Sequence, residues 1–267
     1  MPAAQLGVSQ YTVLDAPIAE GLDLLVETGL PGLELFMEGT QWWDGGALAA
    51  VEARRHRLAG PLSVHPPSWD INIASYTRPV WQTAVDVYSR AIEWAGRLGA
   101  TYVVAHIGWR ADPHLPRRAA LARAEDALQV LVPRAAAAGV VLAVENVGWH
   151  GLEVCDQAEF TALVHRLPAG AGALLDVGHA RLAGWDVAGA LRDLAPRLVA
   201  LHLHDNHGAR DEHLPIGQGD LDWTGLLPRL RALPAHCQHV LEYAPGTPLE
   251  RVRQDGALLG RLLAPPE

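Results

Sequence analysis

Lysine is absent from this sequence of 267 residues, so all 21 basic side chains are arginine. The absence excludes mechanisms that need a Schiff-base lysine or the lysine of a phosphate-binding P-loop. Only two cysteines are present, Cys155 and Cys237, which are too few for a disulfide framework. No apolar run approaches the roughly 20 residues of a membrane-spanning helix. We therefore expect a cytoplasmic, reduced protein with no membrane contact.

The charged residues are acidic in balance, with 30 Asp and Glu against 21 Arg and a formal net charge of −9. This balance argues against a general nucleic-acid-binding surface, although a local groove lined by arginine is still compatible with a phosphate backbone. The first residues lack the charged segment and long apolar stretch that are typical of a secretory signal. Apolar residues make up 49% of the chain, which is enough to fill a large core and excludes a disordered chain.

Short apolar runs rich in β-branched residues alternate with stretches whose apolar residues recur at helical spacing. The predicted strands are Leu6–Ser9, Gly32–Phe36, Leu62–His65, Tyr102–His106, Val140–Asn146, Ala173–Val177, Leu198–His204 and Val240–Tyr243. Eight such alternations predict a parallel sheet covered by helices and closed into a single (β/α)8 TIM barrel over residues 1–267. An open doubly wound sheet is the alternative, but the turn after the first strand has no glycine-rich phosphate-binding motif.

Polar side chains stand at the carboxyl ends of seven predicted strands, where barrel enzymes place their chemistry. They are Glu34, His65, His106, Glu145, Asp176 with His179, His202 with His204, and Glu242. Any one of these alone is more often a hydrogen-bonded loop residue than a ligand. Several carboxylates in one apolar barrel mouth need a countercharge, which a divalent cation supplies. Because imidazoles accompany the carboxylates, the set favours Zn²⁺, Mn²⁺ or Co²⁺ over Ca²⁺ or Mg²⁺ alone.

Three segments carry a resemblance to a known family. They are Ala143-Val144-Glu145-Asn146, Leu174-Leu175-Asp176-Val177-Gly178-His179, and Leu201-His202-Leu203-His204-Asp205-Asn206, the last followed by Asp211-Glu212-His213-Leu214-Pro215-Ile216-Gly217-Gln218-Gly219. In this order they resemble the xylose-isomerase-like TIM-barrel superfamily, which includes sugar phosphate isomerases and epimerases and the endonuclease IV branch. The resemblance covers essentially the whole chain and implies the same barrel fold.

The resemblance implies two sets of metal ligands. In the ketose epimerases, one metal is held by the counterparts of Glu145, Asp176, His202 and Glu242, and the counterpart of His179 contacts the substrate. In endonuclease IV, the counterparts of His65, His106, His179, Asp211 and His213 join them around three metals. His202 rather than His204 is the implied ligand, because the family places that histidine three residues before an acidic residue. The implied cofactor is one to three divalent ions, zinc or manganese.

Two reactions are compatible with these residues. The one that we rank first is a metal-dependent isomerase or epimerase of a small sugar or sugar phosphate, in which Glu145 and Glu242 move a proton through an enediolate. The second is phosphodiester hydrolysis at a centre of up to three metals, as in an abasic-site endonuclease, and only here is nucleic acid an expected partner. A metal-binding protein without turnover is a third class, disfavoured by the pair of glutamates. A homo-oligomer is compatible with each of them.

Two loops depart from the endonuclease pattern. The segment 66–74 lacks that branch's tyrosine and is one residue longer, and the loop from His202 to Asp211 is shorter and lacks its lysine. Because DNA contacts are expected there, the departures favour the isomerase. Tryptophans in loops after strand ends can stack on sugars or bases or can cover the barrel mouth. Arginine can bind a phosphate group through two hydrogen bonds. The residues expected to contact substrate are His179, Glu34, Trp69, Trp109 and Arg210.

Overall fold

Eight parallel strands close into one barrel in the computed structural model, which describes residues 5–43, 45–58, 60–149 and 151–264. Each strand pairs with its neighbour in chain order, and the eighth pairs with the first. The strands are β1 Leu6–Ser9, β2 Gly32–Phe36, β3 Leu62–His65, β4 Tyr102–His106, β5 Val141–Glu145, β6 Ala171–Asp176, β7 Leu198–Leu203 and β8 Gln238–Leu241. The predicted (β/α)8 TIM barrel is therefore confirmed.

Helices cover the outside of the barrel. They are α1 Ile18–Val26, α2 Thr40–Trp43, α3 Ala47–Arg54, α4 Arg78–Leu98, α5 Arg117–Ala137, α6 Gln157–Arg166, α7 Val177–Leu182, α8 Val187–Leu194, α9 Trp223–Arg231 and α10 Leu249–Leu263. On α4, Ala84, Tyr88, Ala91 and Ala95 recur three or four residues apart and are buried, as on a helix that packs by one face. None of the helices that the structure describes has the length and apolar composition needed to span a bilayer.

The first four strands have the predicted bounds. The last four differ from their predicted bounds by one or two residues at one end or at both ends. At the end of β6, the Asp176 carboxylate accepts a hydrogen bond from the His179 backbone N–H at 2.6 Å and so caps α7. Val177 therefore begins a helix instead of ending a strand. After β7, Asp205 pairs with Leu214 in an isolated antiparallel bridge, so the chain has already left the barrel.

Side chains fill the barrel interior in layers. Its apolar layer consists of five buried residues from the four strands β4 to β7, namely Tyr102, Val104, Ala143, Leu174 and Ala200. Because alternate residues of a strand point to the same face, the next inward positions lie two residues closer to the carboxyl end. On these strands they are His106, Glu145, Asp176 and His202. The apolar layer thus forms the floor under a polar layer at the carboxyl end.

Candidate metal centre

All nine predicted metal ligands lie above the apolar layer, and their ligand atoms form overlapping groups. In each group the ligand atoms lie within 4.8 Å of one another. The first group is His65, His106 and Glu145; the central one joins Glu145, Asp176 and His202, with Glu242 also beside His202; and the third is His179, Asp211 and His213. Glu145 belongs to both the first and the central group, so these two are adjacent.

The first group has the geometry of a cation site. The Nε2 atoms of His65 and His106 face each other at 3.2 Å, and Glu145 Oε2 lies 3.0 Å from His106 Nε2. Although this oxygen is buried, it accepts no hydrogen bond. Two ring nitrogens and an unsatisfied carboxylate oxygen that converge in this way fit a divalent ion, because each can offer it a lone pair.

Three histidines are oriented by backbone carbonyls. The Nδ1 atoms of His65, His179 and His213 lie 2.7, 3.0 and 2.9 Å from the carbonyl oxygens of Pro66, Asn146 and Glu242, respectively. A carbonyl only accepts, so each Nδ1 carries a hydrogen and each Nε2 keeps its lone pair in the neutral ring. A carbonyl behind a ligating histidine is the usual arrangement in metal proteins. The rings are thus prepared to bind metal through Nε2.

The third group depends on a loop that folds back over the barrel. Asp211 Oδ2 lies 3.1 Å from His179 Nε2 and 3.0 Å from His213 Nε2. His213 has a φ of 47°, a left-handed conformation that is strained for a residue with a Cβ. Its backbone oxygen accepts a hydrogen bond from the Ala244 N–H at 2.9 Å, which helps to hold this conformation. The strained backbone thus occurs at a residue, His213, whose side chain belongs to a ligand group.

His202 occupies the middle of the centre and is fully buried. Its Nδ1 lies 3.1 Å from Glu242 Oε2 and 3.3 Å from Glu145 Oε1, while its Nε2–H donates to Glu34 Oε1 at 2.8 Å. Glu34 Oε2 in turn accepts hydrogen bonds from the hydroxyls of Ser63 and Tyr102 at 3.0 and 3.1 Å. Glu34 lies beneath His202 with no exposed surface and orients that ring, and its contact with substrate stays a prediction.

His204 also belongs to the cluster of buried histidines and carboxylates, although the sequence favoured His202 as the ligand. Its Nε2 lies 3.0 Å from both carboxylate oxygens of Asp176, and its ring stacks on that of His213 with centroids 3.9 Å apart. A Cβ at Gly178 would collide with the His204 ring, which explains the glycine in that motif. The available signal was spacing, since His204 follows His202 by two residues and shares its inward face.

Histidines and carboxylates compensate one another electrostatically in the candidate centre. Burial favours a neutral Glu242, but the charge of His202 outweighs it and lowers the pKa of Glu242 to about 2. Burial likewise opposes protonation of His213, yet the Asp211 carboxylate prevails and raises the pKa of that imidazole to about 9. Neighbouring histidines also hold the pKa of Glu145 well below its usual range against burial. The carboxylates thus need positive charge, which divalent ions also supply.

A cavity of about 240 Å³ opens onto the metal centre. Its lining consists of Tyr11, Phe36, His65, Ser68, Trp69, His106, Trp149, His179, Asp211, His213 and Glu242. Tyr11, Phe36 and Ser68 were not among the predicted site residues. The available signal was position, since Tyr11 and Ser68 follow the ends of β1 and β3. Burial, reinforced by Glu242, raises the pKa of Tyr11 to about 12, so its phenol stays protonated at neutral pH. The cavity therefore offers ligand atoms on one side and aromatic rings with hydroxyl donors on the other.

The remaining predicted substrate residues are divided by the structure. His179 and Trp69 line the cavity. Trp109 is not among the lining residues and packs against Trp149, with ring centroids 4.5 Å apart. Arg210 is exposed and also lies outside the lining. Contact of Trp109 or Arg210 with a ligand in this cavity would thus require a larger ligand or a movement of the loops.

Residues 22–261 match the family described as the xylose isomerase-like TIM barrel. This chain is a member of that family. The resemblance identified in the sequence is thereby confirmed, and it agrees with the closed barrel and with the positions of the groups at its carboxyl end.

This chain is similar to proteins of two kinds, named as endonucleases and as sugar epimerases. The probable endonuclease 4 of Oleidesulfovibrio alaskensis is 30% identical over 262 residues, covering 89% of this chain and 88% of that protein. The structure of a D-tagatose 3-epimerase-like protein has a TM-score of 0.84 at 23% identity, covering 97% of each chain. A protein of Thermus thermophilus, studied after soaking with ZnCl2, has a TM-score of 0.75 at 27% identity, again covering 97% of each.

Proposed function

We propose that this protein is a metal-dependent hydrolase of phosphate esters with a centre for three divalent ions, zinc or manganese. The observation that carries the proposal is the pair of histidine-containing groups on either side of the central one. An epimerase centre for one ion needs only Glu145, Asp176, His202 and Glu242. The other five side chains, His65, His106, His179, Asp211 and His213, converge in two further groups, and the epimerase resemblance gives a task only to His179 among them, as a substrate contact.

Charge supports the same proposal. The ligand groups contain the carboxylates of Glu145, Asp176, Asp211 and Glu242. Three divalent ions would exceed these four negative charges by two, whereas a single ion would leave the rest of their compensation to protonated histidines. None of the described residues that line the cavity is an arginine, so the positive charge that attracts phosphate would come from the ions and the histidines.

Each side chain has a definite task in such a reaction. Bound ions would polarise the phosphoryl group and activate water. Glu145 supports two groups at once, since Oε2 faces His106 and Oε1 lies 3.3 Å from His202 Nδ1. Tyr11 presents a phenolic O–H that donates a hydrogen bond to a substrate oxygen. Phe36 and Trp149 line the cavity and limit the access of water.

A sugar epimerase is the second candidate, and it is the reaction ranked first from the sequence. One observation favours it: Glu145 at the end of β5 and Glu242 after β8 both approach His202 Nδ1, at 3.3 and 3.1 Å. Two carboxylates that converge in this way suit removal and return of a proton. The flanking groups of ligands reverse the order, because this reaction gives a task only to His179 among their five further side chains.

Metal stoichiometry and two activity assays separate the candidates. We expect elemental analysis of zinc-reconstituted protein to give three ions per chain, and we expect the protein to hydrolyse 4-nitrophenyl phosphate or its bis ester. One ion per chain, together with exchange of a ketose proton in D2O, would refute the hydrolase and support the epimerase. His106→Asn should lower the ion count by one and reduce hydrolysis, because it removes a ligand of the first group. His165→Asn is the control, since His165 is exposed, belongs to none of the ligand groups, and has its Nε2 3.0 Å from the Asp193 carbonyl oxygen.

A further inference from the structure

A second cavity, of about 380 Å³, lies beside the first, and Trp69 lines both of them. We call it the Trp69 cavity. The loops after β2 and β3, together with α2 and α4, form its walls, which include Glu38, Thr40, Trp43, Asp70, Ile71 and Val87. Because one side chain lines both, the two cavities are adjacent and lie on either side of Trp69.

Trp69 is exposed but its backbone is fixed. The side chain has 55% of its surface exposed, whereas large apolar side chains usually lie inside a protein. The Glu38 carboxylate, itself buried, accepts hydrogen bonds from the backbone N–H groups of Ser68 and Trp69 at 2.6 and 3.1 Å. Trp43 is also fixed, because its indole N–H donates to the Met37 carbonyl at 3.0 Å. The Trp69 backbone and the Trp43 indole are thus held in place by contacts within the protein, which lowers the entropy lost on binding.

The lining of the Trp69 cavity selects by charge and shape. It contains two carboxylates, Glu38 and Asp70, the Thr40 hydroxyl, and no arginine. Carboxylates repel a phosphate group or a nucleic-acid backbone but accept hydrogen bonds from N–H and O–H groups. The Trp69 indole and the aliphatic side chains of Ile71 and Val87 offer apolar surface, whereas the Arg90 guanidinium lies over the Trp43 ring, 5.9 Å from its centroid. A ligand that satisfies both features is an uncharged aromatic ring with hydrogen-bond donors on its edge.

We propose that the Trp69 cavity binds the leaving group of the substrate, an uncharged aromatic ring bearing N–H or O–H donors that stacks on Trp69. The inference rests on the proposed hydrolase only for the group at the metal centre, which is the phosphate. Substrates are then small esters in which one phosphate is joined to such a ring system, directly or through a short linker. A polynucleotide is disfavoured, because its next phosphate would meet the carboxylates.

Adenosine is a suitable probe, since it has an aromatic ring with an amino group and no phosphate. We expect adenosine to shift the indole N–H resonances of Trp69 and Trp43 in ¹H–¹⁵N spectra of the full-length protein as purified. Stacking of a base on an aromatic side chain contributes roughly 1–3 kcal/mol, so Trp69→Ala should weaken binding at least about fivefold. Trp69→Phe should retain part of the affinity. Val87→Trp should abolish binding by filling the cavity from α4.

The control variant is Trp81→Ala on α4, which removes a tryptophan that lines neither cavity and should leave adenosine binding unchanged. Ribose should leave the Trp69 and Trp43 resonances in place, and inorganic phosphate, which would bind at the metal centre, should leave the Trp43 resonance in place. Binding of adenosine that is insensitive to both Trp69→Ala and Val87→Trp would overturn the proposal, as would ribose or phosphate binding equally well in this cavity. Absence of hydrolysis with adenosine binding intact would refute the proposed function alone, because the binding measurement requires no turnover.

Discussion

The apolar layer and part of the candidate metal centre lie two residues apart on the same strands, and both are buried although one is apolar and the other polar. Ala143 precedes Glu145 by two positions, as Leu174 precedes Asp176 and Ala200 precedes His202, and all six are fully buried. The apolar residues need only close packing. The polar residues are stable in the interior only because each charge faces an opposite charge or a cation. The position of a residue in the backbone therefore determines whether it is buried, and the surrounding side chains determine whether a charged group is stable there.

The largest effect in the polar layer should come from Glu145→Gln. Because Glu145 belongs to two ligand groups, we expect loss of the carboxylate to reduce kcat/KM by at least about 10³-fold, as typical for a group that acts on the transition state. The substitution should also lower the ion count. Steady-state kinetics and elemental analysis measure the two effects. Glu250→Gln, an exposed carboxylate on α10, is the control; turnover that survives Glu145→Gln would remove Glu145 from its proposed role.

In the apolar layer, Leu174→Ala should impair stability and leave the chemistry intact. Deleting a fully buried leucine side chain costs roughly 2–5 kcal/mol in the free energy of unfolding, because a cavity remains. Urea denaturation should report this loss, while the activity per folded molecule changes little below the unfolding transition. Leu258→Ala, at an exposed leucine, should cost far less. A folded Leu174→Ala protein with normal stability and no activity would contradict the division of tasks between the layers.

Glu34 connects the two layers, because it joins Tyr102 of the apolar layer to His202 of the metal centre. Substitutions behind a ligating histidine typically lower metal affinity or activity about 10- to 100-fold, and we expect this range for Glu34→Gln. Competition with a zinc chelator measures the affinity. Glu34→Asp, which keeps the charge, should recover part of it. If Glu34→Gln instead raised KM and left metal affinity unchanged, Glu34 would be a substrate contact after all.

The smallest predicted effect concerns a histidine outside the centre. His239 is buried without a carboxylate partner, and burial lowers its pKa to about 4, the reverse of His213. As the pH falls from about 6.5 toward 4, the unfolded chain takes up a proton that the folded protein refuses, so stability declines. His239→Leu should remove roughly 2 kcal/mol of the decline between pH 7.5 and 5. Urea denaturation at both values tests this; an equal decline in the wild type and the variant would contradict it.

The fold was accessible from sequence because strand burial is a local property. A strand covered on both sides is a continuous apolar run, and eight such runs with helices between them identified the barrel. The ends of the strands were harder to predict from the sequence, since Asp176 both ends a strand and caps the next helix. Whether such a residue ends a strand or begins a helix depends on which backbone N–H its side chain meets.

The sequence by itself determined the barrel, the family and the polar residues at the carboxyl ends of the strands. Alternation with a period of two places them on the inner face, and parallel pairing brings their ends together. Only the tertiary structure decided how these residues are grouped, that Glu34 lies beneath His202, that His204 faces Asp176, and that Trp69 stands between two cavities. These relations join residues 28 to 168 positions apart through loops whose course depends on packing and strain, as at His213, and no local pattern encodes them.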